Sequence, residues 1–122
     1  MPAKAIRAAD LRPLPSTDRL RGEMTELTDF FADLPEGLQA GIRDLGWADP
    51  MPVQIKTIPL MRDGKDLIVQ ARTGSGKTGA FGIPIIEKID IDLPETQALI
   101  MLPTRELANQ VAVELKAIGK HC

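Results

Sequence analysis

Ala-Arg-Thr-Gly-Ser-Gly-Lys-Thr, residues 71–78, follows directly on the apolar run from Asp66 to Ala71. A buried strand, a run of small residues and a Lys-Thr pair opening a helix predict a phosphate-binding loop. Small residues let backbone N–H groups converge on phosphate oxygens, and the helix that follows points its positive end at the same anion. In this reading Ala71, Arg72, Thr73, Gly74, Ser75 and Gly76 form the cradle. Lys77 reaches the β- and γ-phosphates, and the Thr78 hydroxyl is placed to ligate Mg²⁺. The strict pattern begins with glycine, where this chain has Ala71; Gly74, Gly76, Lys77 and Thr78 fit it. A plain connector would need one or two glycines but has no use for Lys-Thr in a first helical turn.

Working outward, the run from Asp66 to Ala71 is apolar on both faces and predicts a strand covered on both sides. A helix from Lys77 to Ile89 follows, with Phe81, Ile85 and Ile89 along one side. Asp90 to Thr96 reads as a loop, and Gln97 to Leu102 as a second buried strand. Thr104 then caps a helix whose Leu107, Val111, Leu115 and Ile118 share a face. Strand–helix–strand–helix implies an α/β fold with a parallel sheet and right-handed crossovers.

Upstream, Leu34, Leu38, Ile42 and Leu45 mark one face of a helix from Pro35 to Leu45, stopped by Gly46. Gly37 and Gly41 weaken it by roughly 1 kcal/mol each relative to alanine, so it needs a surface to pack on. A second helix runs from Pro52 to about Asp63-Gly64, with Pro59 expected to kink it. Residues 1–28 mix Arg and Lys with Pro and show no lasting periodicity, so a disordered tail is expected there, with the folded domain over 29–122.

The 122 residues suffice for one domain, and the net charge of −2 gives no global field for nucleic acid; any such partner needs a local patch. Cys122 is the one cysteine, so no internal disulfide forms, and a reducing, cytoplasmic setting is expected. No apolar run approaches the roughly 20 residues that span a bilayer, so no membrane partner is expected.

Two further stretches flank the loop: Gly46-Trp-Ala-Asp-Pro-Met-Pro-Val-Gln54 before it and Pro103-Thr-Arg-Glu-Leu-Ala108 after it. With residues 71–78 they resemble, in order and near the usual spacing, the Q motif, motif I and motif Ia of DEAD-box RNA helicases. The resemblance covers roughly residues 30–122 and implies the N-terminal part of a RecA-like first domain that binds ATP and Mg²⁺ and touches RNA. It implies adenine recognition by Gln54, whose amide offers one donor and one acceptor edge. It also implies an aromatic near the base, for which Phe30 and Phe31 are both candidates. Trp47 stands where the family usually has an aromatic, and packing is its expected role. Pro103, Thr104 and Arg105 would meet RNA phosphates without reading bases. Where the family usually has threonine this chain has Met51, so a hydroxyl linking the Q motif to the loop is missing.

No apolar strand ending in Asp-Glu follows residue 108. The resemblance therefore implies the opening segment of an RNA-stimulated ATPase whose second RecA-like domain lies elsewhere. Lys77 and Thr78 are its contribution to catalysis, and no hydrolysis is expected from the segment alone. The alternative reading is a non-catalytic nucleotide- or RNA-binding module.

Overall fold

The computed structural model describes residues 3–7, 10, 29–72, 74 and 76–122. Among these the chain runs β1 (Lys4–Ile6), a 3-10 turn (Asp29–Phe31), α1 (Glu36–Asp44), α2 (Pro52–Arg62), β2 (Leu67–Val69), α3 (Lys77–Lys88) and α4 (Arg105–Ile118). The local chemistry accounts for the helix ends. Pro35 precedes α1 in an extended conformation, and Gly46, at a φ of 72°, follows its last turn. Pro52 opens α2, where a missing N–H costs nothing, and Pro59 is carried inside the helix, which continues to Arg62. Thr104 caps α4, its hydroxyl accepting from the Leu107 N–H at 3.2 Å.

The core forms where α1, α2, α3 and the end of α4 meet: Phe31, Leu34, Leu38, Ile42, Ile58, Ile83 and Ile118. Three of the four apolar positions read on α1 are buried there, while Leu45 stays partly exposed. Gly37 and Gly41 have a positive reason to be glycine. A Cβ on Gly37 would stand 2.5 Å from the His121 carbonyl oxygen, and one on Gly41 would overlap the Ile118 carbonyl. The end of α4 thus lies directly against the α1 backbone. Between α2 and α3, Arg62 forms a two-pronged pair with Glu87, both contacts 2.9 Å, and Lys88 donates to the Met61 carbonyl.

The sheet differs from expectation in three respects. Lys4–Ile6, inside the segment expected to be a disordered tail, pairs in parallel with β2, with Ile6 opposite Val69 and only 4% exposed. Three residues are too few to show a period, and the partner lies some sixty positions away. Most of the remainder of that segment, residues 8–9 and 11–28, lies outside the described residues. Second, Gln97 to Leu102 is not a strand. Among the described residues nothing pairs with it, and Leu99 and Met101 are more than 80% exposed. A strand is a paired state, and apolar character alone cannot supply the partner. Third, β2 is open on one face, with Ile68 64% exposed. On α3 the deepest side chains are Ile83, Pro84 and Ala80, not the expected row of Phe81, Ile85 and Ile89. The face turned to the core follows from contact with α2, which periodicity in a helix apolar nearly all round cannot select.

Candidate nucleotide and RNA site

β2 ends at Val69 and α3 begins at Lys77, so residues 70–76 form the connecting loop; Thr73 and Ser75 within it lie outside the described residues. Gly74 and Gly76 hold φ angles of 76° and 84°, in the left-handed region that glycine enters without strain. These turns bring the chain back on itself, and the Lys77 ammonium donates to the Ala71 carbonyl at 2.8 Å across the loop. α3 starts with no side-chain cap and no acidic residue in its first turn, leaving its first N–H groups and positive end for an incoming anion. α4 is the opposite case, with Thr104 capping it and Glu106 in its first turn.

Gln54 joins the turn before α2 to this loop. It is 1% exposed. Its Oε1 accepts from the Met51 N–H at 3.0 Å, and its Nε2 donates to the Gly76 carbonyl at 3.2 Å. Contact is close enough that a Cβ on Gly76 would lie 2.7 Å from Gln54 Nε2 and 2.9 Å from Met51 Cγ. The hydroxyl missing at Met51 therefore does not leave the turn unsupported: the Gln54 amide and Met51 packing tie it to the loop.

A cavity of about 950 Å³ opens between these parts. Trp47, Met51 and Gln54 form one wall, and Gly74, Gly76, Lys77 and Thr78 the loop end. Leu102, Leu107 and Val111 face them from the α4 side. The structure thus brings Gln54, the loop, Lys77 and Thr78 together. It does not bring Phe30 or Phe31 there. Phe31 is in the core, and Phe30 packs edge-on against it with ring centroids 5.5 Å apart. Trp47 and Phe81 are the aromatics that line the cavity; Trp47 also packs against the core, the role expected of it. Pro103, Thr104 and Arg105 are exposed at the start of α4 and do not line the cavity.

Among the described residues no group of three or more His, Cys, Asp or Glu side chains could hold a metal, and no helix is long and apolar enough to cross a membrane. The carboxylate whose titration is displaced, Asp44, stands away from the cavity. Hydrogen bonds from His121 (2.7 Å) and then Lys120 hold it below its ordinary range.

Residues 51–122 match the family model of the DEAD/DEAH box helicase. Over 87 residues the chain is 49% identical to the ATP-dependent RNA helicase CshA of Limosilactobacillus reuteri, covering 71% of this chain and 18% of that protein. Over 117 residues it is 42% identical to the ATP-dependent RNA helicase DHH1 of Kluyveromyces lactis, covering 96% of this chain and 22% of that one. A crystal structure of a DEAD box protein from the hyperthermophile Methanococcus jannaschii superposes with a TM-score of 0.67 at 41% identity, over 71% of this chain and 24% of the other. The chain spans about a fifth of the length of the curated relatives it matches. Its fold is accordingly part of an α/β, RecA-like domain.

Proposed function

Because the chain belongs to the DEAD/DEAH box helicase family, we propose that it forms the nucleotide-binding front of an ATP-dependent RNA helicase. The observation that carries this reading is the uncapped start of α3 behind a loop bent at Gly74 and Gly76, with Lys77 folded across its mouth. Oxygens of a polyphosphate would replace the Ala71 carbonyl as acceptors for Lys77, and Ala71, Arg72, Thr73, Gly74, Ser75 and Gly76 would surround them. In support, the cavity's volume falls in the range of ligand pockets, and its mainly apolar lining carries a few polar groups. Thr78 lines it and suits Mg²⁺, which takes few protein ligands and completes its shell with water and phosphate oxygens. When bound, the metal supplies charge neutralisation on the phosphates.

Gln54 is assigned to the adenine edge and Trp47 to the adjoining wall. Pro103, Thr104 and Arg105 are assigned to RNA phosphates, with no base readout. RNA-stimulated hydrolysis and duplex separation, in a cytoplasmic setting, belong to the whole protein, to which a second RecA-like domain would contribute. The test is calorimetric titration of the chain with MgATP beside Lys77→Ala. ATP binding that is lost in the variant supports the reading; equal binding by both overturns it.

A further inference from the structure

β1 lies beyond the motifs that the proposed function uses, yet it ends beside the phosphate loop. Lys4 N–H donates to the Asp66 carbonyl and Gln70 N–H to the Ile6 carbonyl, both at 2.7 Å. With Ile6 opposite Val69, Arg7 stands alongside Gln70, one residue before Ala71. Adjacent strands lie about 4.8 Å apart, a gap shorter than an arginine side chain. The two strands are parallel, so their carboxyl ends open to the same side, where open α/β sheets take their ligands.

The backbone at Arg7 is also braced. Its N–H donates to Asp10 Oδ2 at 3.0 Å, its carbonyl accepts from the Asp10 N–H at 2.8 Å, and Lys56 Nζ donates to the Asp10 carbonyl. The Asp10 carboxylate is thereby engaged with main chain. The Arg7 side chain is exposed and forms no ion pair with another described residue.

We propose that Arg7, delivered by β1 to the rim of the loop, is a second phosphate-binding cation of the site, its guanidinium taking oxygens of the terminal phosphate of a nucleoside triphosphate. This rests on the nucleotide reading above. The guanidinium fork suits two phosphate oxygens at once, whereas Lys77 acts as a point charge. The terminal phosphate is the assigned target because the loop amides would take oxygens of the inner phosphates, leaving the outermost oxygens to Lys77 and a second cation.

The experiment is calorimetry of MgATP and MgADP on the 122-residue chain, Arg7→Ala, Arg7→Lys and Lys77→Ala. Arg7→Ala is expected to weaken ATP about five- to tenfold, as for a partly solvated charge-assisted contact, and to leave ADP within about twofold. Arg7→Lys recovers part of the loss, and added salt shrinks it. Unchanged ATP affinity in Arg7→Ala, with binding lost in Lys77→Ala, overturns this inference and leaves the loop reading standing. Equal losses for ATP and ADP overturn the terminal-phosphate assignment. Weaker binding of a polyuridine oligomer with unchanged ATP affinity places Arg7 on an RNA surface and also overturns it. Failure of the unmutated chain to bind ATP removes the loop reading and this inference with it.

Discussion

Gln54 has a structural role beside the adenine contact proposed for it. Its identity pointed to adenine, but its setting gives it a structural role as well: it is a buried amide bonded to Met51 N–H and the Gly76 carbonyl. Gln54→Ala should therefore lower unfolding free energy by about 1–3 kcal/mol, as for a buried polar pair left unmet, besides reducing the preference for ATP over GTP. Urea denaturation without nucleotide checks this; unchanged stability would reduce Gln54 to a base contact. Asp44 carries a pH dependence. Its carboxyl is held below the ordinary value of 3.8 by His121 and then Lys120. A depressed carboxylate stabilises the fold above its unfolded-state pKa, and that contribution is lost as pH falls through the folded one. Melting temperature should thus fall more steeply with acid below about pH 4 in the unmutated chain than in Asp44→Asn, the group being exposed and the effect small.

At the level of elements, the helices and β2 were legible and the strands around β2 were not. Helix signals are local: Pro52, Thr104 and the spacing from Leu34 to Ile42 act within a few residues. The turn ahead of α3 was legible because its glycines, Gly74 and Gly76, mark positions of positive φ at fixed places. β1 and the extended run from Gln97 to Leu102 depend on partners distant in sequence, which no window of residues contains. Phe31 went into the core, whereas Trp47 packs against it and also lines the cavity; both are apolar, and only packing decides between such places. Two substitutions test the element contacts. In an exposed helix Gly→Ala stabilises by up to about 1 kcal/mol. Gly41→Ala should instead destabilise, because its methyl meets the Ile118 carbonyl and α4 must back away. Ile6→Ala should cost about 2 kcal/mol or more if β1 is an integral strand, where a dispensable tail would show no change in melting temperature.

Across the whole molecule, several large apolar side chains are exposed. Leu99, Met101 and Ile91 are about four-fifths exposed, with Ile68 and Val113 at about two-thirds. Surface of this kind promotes association when several such residues are contiguous. The chain should self-associate with concentration, and the double variant Leu99→Lys, Met101→Lys should shift it toward monomer in sedimentation velocity. Identical profiles for the two would show that the extended run takes no part in association. The tryptophan in the wall has a use of its own. The sequence contains a single Trp and no Tyr. Trp47 is half-buried beside Gln54 and Met51. Its emission is therefore an intrinsic optical signal from the cavity, free of any second indole, and an arriving purine changes its colour and intensity without a label. Cys122, the sole thiol and exposed at the far end of α4, accepts one acceptor dye. Energy transfer between the two then reads the distance from the cavity to the α1–α4 contact in a chain that needs no engineered residue.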